Sequence, residues 1–145
     1  KTPILYKLEN SMPIIEKTQF NPIFSDNLFF IHLNKKQDTN NQIKIFNTNE
    51  IAQKTLLAFS ELTKKFLSSN NLIQFQDCIK KHELLLSKEL KSKSIKEVLF
   101  KDYQGEIKSL GAWGGDFILA AGPLNSPSYF YKKGFKTVIN FKKMF

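Results

Sequence analysis

Three glycines crowd the segment Lys108-Ser109-Leu110-Gly111-Ala112-Trp113-Gly114-Gly115-Asp116-Phe117. Backbone without side chains can approach an anion closely and adopt positive φ, which is how a polypeptide cradles a phosphate. Lys108 brings an ammonium, Ser109 a hydroxyl and Asp116 a carboxylate to the ends of this stretch. The same string also suits a tight turn entering the strand-forming run Phe117 to Ala120, with Asp116 bracing it as an Asx turn. Lys108 by itself is weak, being one of 22 basic residues. Ser109 alternates to the face opposite Lys108 and Leu110 if the segment is a strand.

A second group of polar residues follows an apolar strand. Leu28-Phe29-Phe30-Ile31-His32-Leu33 is dense enough in apolar side chains to be covered on both faces. It empties into Asn34 to Asn41, which holds Lys35, Lys36 and Thr39. Loops at strand ends carry binding residues, and paired lysines can neutralise a phosphorylated substrate. A solvated connection is the competing reading. His32 shares a face with Leu28 and Phe30 and reads as a hydrogen-bonded core or rim residue. His32 and His82 are fifty positions apart, without metal-ligand spacing, and Cys78 is the single cysteine. Neither a disulfide within the chain nor a cysteine metal cluster follows from this, and a cytoplasmic setting is expected.

The elements that must position these residues come from periodicity. Ile4 to Tyr6 and Ile14-Ile15 read as extended runs separated by Asn10-Ser11-Met12-Pro13. Thr48 or Asn49 caps a helix to about Leu67, with Ala52, Leu56, Phe59, Leu62 and Phe66 at helical spacing. Ser68 to Asn71 breaks it. A second helix over 71–90 carries Leu72, Phe75, Ile79, His82, Leu85 and Leu86 on one face, so His82 and Cys78 read as packing residues. Ser94 caps a short helix through Phe100, and Asp102 to Gly105 turns into the strand Glu106 to Lys108. Phe117 to Ala121 returns beside it. Ser126-Pro127 opens a last helix that Gly134 ends, and Phe135 to Phe141 is the final strand. Strand–glycine loop–strand is neither a Walker P-loop nor a Rossmann turn, because both require a helix after the glycines. The order predicts an α+β fold with a mainly antiparallel sheet and helices packed on one face.

The chain has 145 residues and a net charge of +9, enough for one core and basic enough to raise a nucleic-acid reading. All the basic residues are lysines, and the absence of arginine counts against sequence-specific DNA binding. Lysines on solvated faces are the simpler account. Lys133 to Phe141 superficially matches the RNP1 string of an RNA-recognition motif, but only four residues follow it, so it is a decoy. No apolar run reaches membrane-spanning length; the longest, Phe117 to Leu124, is far too short.

The string from Lys108 to Asp116 resembles the third motif of the GHMP kinases, roughly Lys-x-Ser/Thr-Gly-Ala-Gly-Gly-Gly-x, often ending in Gly-Gly-Asp in phosphomevalonate kinases. Lys108, Gly111, Ala112, Gly114, Gly115 and Asp116 match it. Leu110 stands where Ser or Thr is usual, and Trp113 where a third Gly is expected. Leu33 to Thr39 and Tyr129 to Phe135 are similar to the GYDIA-type bacterial branch, close to the mevalonate and phosphomevalonate kinases. The resemblance covers most of the chain, as the carboxyl-terminal half of such an enzyme.

It implies a ferredoxin-like GHMP carboxyl-terminal domain over residues 21–145, with residues 1–20 ending the preceding domain or connecting to it. It implies ATP-dependent phosphorylation of a small hydroxylated or phosphorylated metabolite of the mevalonate type, with Mg²⁺. Lys108, Ser109, Gly111, Ala112, Gly114, Gly115 and Asp116 would then bind nucleotide phosphate, and Lys35, Lys36, Thr39 and Trp113 would border the substrate. Trp113 could narrow the site, stack on a ligand, or pack against the amino-terminal half. The catalytic residues are expected in that half, so this chain alone would be inactive. The partners are then the small-molecule substrate and the amino-terminal half, with no specific nucleic acid and no membrane. The alternative is a non-catalytic α+β ligand-binding or interaction module that uses the same loop for an anion.

Overall fold

The computed structural model describes residues 3–34, 51–111 and 115–144. Its first element is a hairpin of β1 (Ile4–Glu9) and β2 (Met12–Lys17), which pair only with each other among the described residues. Asn10 (φ 50°) and Ser11 (φ 63°) form its two-residue turn. Two consecutive positive-φ residues match the right-handed twist of the strands they join. The turn-closing pair is Glu9 with Met12. In an alternating ladder the next pair, Leu8 with Pro13, is then a non-hydrogen-bonded one, where the missing proline N–H costs nothing.

The rest is built on a four-stranded sheet. Its strands are β3 (Leu28–His32), β4 (Glu106–Ser109), β5 (Phe117–Ala121) and β6 (Val138–Asn140), in the spatial order β4-β5-β3-β6 with every neighbouring pair antiparallel. Between β3 and β4 lie α1 (Gln53–Leu67), α2 (Leu72–Glu89) and α3 (Ile95–Leu99); α4 (Ser126–Lys132) joins β5 to β6. Strand, helices, two strands, helix, strand is the split βαβ arrangement of a ferredoxin-like fold. The expected α+β class and antiparallel sheet are therefore observed.

The helices are shared between both faces of the sheet, which corrects the expectation that one face would hold them all. Phe29 and Ile31 of β3 pack with Ile107, Ile118, Ala120 and, from α4, Phe130. The alternate residue Leu28 packs with Leu119, Ala121 and, from α2, Phe75 and Ile79. Side chains alternate along a strand, so these are two cores on opposite faces. A strand with apolar residues at every position needs both covers. Leu28, Ile31 and Ile118 have no exposed surface at all.

The helix boundaries follow local chemistry. Asn71 caps α2 by accepting the Gln74 N–H at 2.9 Å. Ser94 and Glu97 form a reciprocal capping box on α3. The ammonium of Lys96 then pins α3 to the start of β4, donating to Gly105 O at 2.6 Å and Glu106 Oε1 at 2.8 Å. Pro127 lies in the first turn of α4, with Asn125 rather than Ser126 at the cap. Ser126 is instead buried inside the helix start and bonded to Tyr103 at 2.7 Å. α1 starts later than expected, at Gln53. Ala52 is extended and has no side chain to cap the helix, while Thr48 and Asn49 lie outside the described residues. Leu56, expected on the buried face of α1, is about half exposed, whereas Leu62 is buried. β6 spans only Val138–Asn140, and a 3₁₀ turn over Phe141–Lys143 takes the place of its expected end.

Candidate functional site

The glycine stretch connects the neighbouring strands β4 and β5. Ser109 is opposite Ile118 in their register, and the Leu110 N–H donates to Phe117 O at 3.2 Å before the chains part. Gly111 has φ +70°, and a side chain built on it would meet nothing within 4 Å. The backbone thus enters a left-handed turn in open space, a conformation that costs glycine little. Gly115 is buried and Asp116 exposed on the return. Asp116 O accepts the Leu33 N–H at 2.7 Å. That bond joins the glycine connection to the point where the chain leaves β3. Both therefore open at the same end of the sheet. Ala112, Trp113 and Gly114 lie outside the described residues, as do Lys35, Lys36 and Thr39.

Lys108 and Ser109 are held by α2. Lys108 is on the same side of the sheet as Leu119, its partner across the ladder, and its side chain is about one-fifth exposed. Its ammonium is 3.7 Å from Glu83 Oε1, an ion pair too long for a hydrogen bond. The Ser109 hydroxyl donates to the other carboxylate oxygen, Glu83 Oε2, at 3.1 Å. Glu83 is 5% exposed, and its Oε1 has no hydrogen-bond partner among the described residues. Burial pushes the Lys108 pKa below its ordinary value, and the Glu83 carboxylate opposes that push. Neither the Lys108 ammonium nor the Ser109 hydroxyl is unengaged; α2 and the edge strand share them.

His82 completes the group. Its nitrogens are 3.3 and 3.4 Å from the Lys108 ammonium, so Lys108 is aligned on neither one alone. The ring packs against Phe59 at 5.1 Å and Phe66 at 6.1 Å between centroids. This agrees with its reading as a packing residue and adds a polar contact. With Phe59, Leu86, Lys108, Ser109, Leu110 and Gly111 it lines a cavity of about 460 Å³ beside the glycine turn. The other histidine, His32, is a rim residue as expected. It bonds to Asn34 at 3.1 Å and packs on Phe117.

The structure thus brings together Lys108, Ser109 and Gly111 from the sequence-predicted set, with Gly115 and Asp116 across the connection. It adds Glu83 and His82, which sequence reasoning had not placed in a site. A signal for Glu83 existed: it follows Phe75 and Ile79 at steps of four, on the most buried stripe of α2. No group of three or more His, Cys, Asp or Glu residues is arranged to hold a metal among the described residues. Also among them, no helix is long and apolar enough to cross a membrane. A scan of protein-family models and a search of curated proteins return no match for this chain.

Proposed function

We propose that the chain is the carboxyl-terminal domain of an ATP-dependent small-molecule kinase of the GHMP type, acting on a mevalonate-like or phosphomevalonate-like acceptor. The observation that carries this reading is the glycine connection between two antiparallel strands of a split βαβ sheet, opening beside the exit of β3. Backbone N–H groups along Gly111 to Gly115 would face phosphate oxygens where no side chain intervenes. Lys35 and Lys36, next along the chain from β3, would neutralise a phosphorylated acceptor. Mg²⁺ would arrive on the nucleotide phosphates, with Asp116 the one carboxylate of the connection. Phosphoryl transfer works by positioning and charge neutralisation, so this half would complete a pocket whose catalytic groups come from the amino-terminal half. A cytoplasmic setting belongs to the same reading, supported by a single, buried Cys78.

The non-catalytic module stays as a second reading for one reason. Lys108 is already paired with Glu83, so the loop's own cation is spent within the protein. The two readings separate in an assay of γ-phosphoryl transfer from ATP·Mg²⁺ by the protein joined to its amino-terminal half, across a panel of mevalonate-pathway acceptors. The kinase reading expects transfer to one acceptor. A correctly folded protein that transfers to none and binds no nucleotide would leave the module.

A further inference from the structure

An open groove of about 940 Å³ runs along α1 and α2, lined also by Lys91, Ser92 and Lys93 of the segment that leads into α3. Its floor is apolar: Ala58 and Leu62 come from α1, and Leu85 from α2. Leu84 is 69% exposed, a large apolar side chain left in water at the groove's edge. The small Ala58 on α1 leaves room for a third helix to lie close.

The rim is mainly basic. Glu61 and Glu97 also line the groove, but both are engaged within the chain. Glu61 pairs with Lys64 at 3.0 Å, and Glu97 serves the capping box of α3. Lys81 is likewise paired with Asp77. Lys65, Lys88 and Lys91, by contrast, are exposed on the rim and make no ion pair among the described residues. Lysines outnumber glutamates five to two along the lining, so the potential over the apolar floor is positive.

We propose that this groove is a docking site for an acidic amphipathic helix of a protein partner, its apolar stripe on Ala58, Leu62, Leu84 and Leu85 and its carboxylates on Lys65, Lys88 and Lys91. Helices recognised in grooves present apolar anchors at i, i+3, i+4 and i+7, which suits a floor made by two adjacent helices. Flanking carboxylates would meet the lysines, adding on-rate and orientation. A bilayer fits this shape less well. Ala58 and Leu62 lie below the lysine rim, so a flat anionic surface would meet charge before it met most of the apolar floor.

The test uses the whole chain and a fluorescein-labelled Leu/Glu peptide of about 18 residues, long enough to form a helix on the surface. Its leucines follow the i, i+3, i+4, i+7 pattern. Controls are the same composition with the pattern scrambled, the Leu/Lys counterpart, and vesicles of phosphatidylcholine with phosphatidylserine. Saturable anisotropy is expected for the patterned acidic peptide, at least about tenfold tighter than for the scrambled one, and weakening as salt rises. The double variant Lys88→Glu/Lys91→Glu and the variant Leu84→Gln, all at exposed positions, should each weaken it by about tenfold or more with an unchanged circular dichroism spectrum. Equal binding of the scrambled peptide would reduce the groove to unspecific charge attraction and overturn the proposal. Binding to vesicles but not to the peptide, or no binding to either, would overturn it as well.

Discussion

At the scale of residues, the candidate site turns on Glu83, which no motif announces. Its carboxylate faces the Lys108 ammonium on one oxygen and receives the Ser109 hydroxyl on the other. Removing one member of a buried pair leaves the other charge uncompensated, which costs more than the pair itself contributes. Glu83→Gln should therefore destabilise the fold by about 2 kcal/mol, below the fully buried range because part of Lys108 reaches solvent. Adding Lys108→Met should recover part of that loss. Urea unfolding of both single variants and the double variant checks this; strictly additive losses would mean that the two side chains do not interact. Lys108, Ser109 and the glycines were legible because they are adjacent in sequence. Glu83 was not, because its contact with β4 spans 26 residues and exists only once α2 has docked.

At the scale of elements, the sheet's outer connection is locked by Tyr103. Its hydroxyl bonds to Ser126 at the start of α4, and a side chain on Gly122 would clash with that hydroxyl. Gly122→Ala should cost about 2 kcal/mol by forcing the ring aside, a loss readable as a lowered urea midpoint. Burial raises the Tyr103 pKa from 10.0 to about 12. A raised native pKa means that the folded state keeps its proton longer than the unfolded chain. The stability from this group is whole below pH 10 and is lost as pH rises toward 12, on the order of 2 kcal/mol. Urea midpoints of the native protein should fall relative to those of Tyr103→Phe across that window. A constant difference between the two would contradict the linkage.

The elements themselves were largely readable. α2 shows an apolar stripe, a cap at Asn71 and a polar break before it, and it lies within a residue of its expected limits. The start of α1 was not readable, because Thr48 and Asn49 are good capping residues whichever local conformation follows them. The two-sided cover was present in β3, whose continuous apolar run demands it. Element order alone does not distribute helices between faces, so that run was the better guide.

At the scale of the whole molecule, the charge of +9 comes from lysines with no arginine among them. Duplex DNA should bind weakly, with affinity falling steeply as salt rises and no preference between sequences. Competition titrations between unrelated duplexes at several salt concentrations would show it, and a tight, sequence-discriminating complex at physiological salt would reverse the ranking of functions. If the kinase reading holds, the chain by itself should not turn over ATP, because that reading puts the catalytic groups in an amino-terminal half. Turnover by the purified chain that Gly114→Val abolishes would contradict this.

The most direct measurement is kcat for phosphoryl transfer by the complete protein carrying Gly114→Ala or Gly115→Ala. If the connection wraps phosphate oxygens in the transition state, a β-carbon there should force the backbone away or demand a disfavoured φ. Contacts made mainly in the transition state lower kcat more than they raise KM when lost. Each variant should therefore lose a factor of about ten or more in kcat, at roughly 1.4 kcal/mol per factor of ten, while folding normally. Unchanged kcat in both variants would take the glycine connection out of the active site and remove the main support for the kinase.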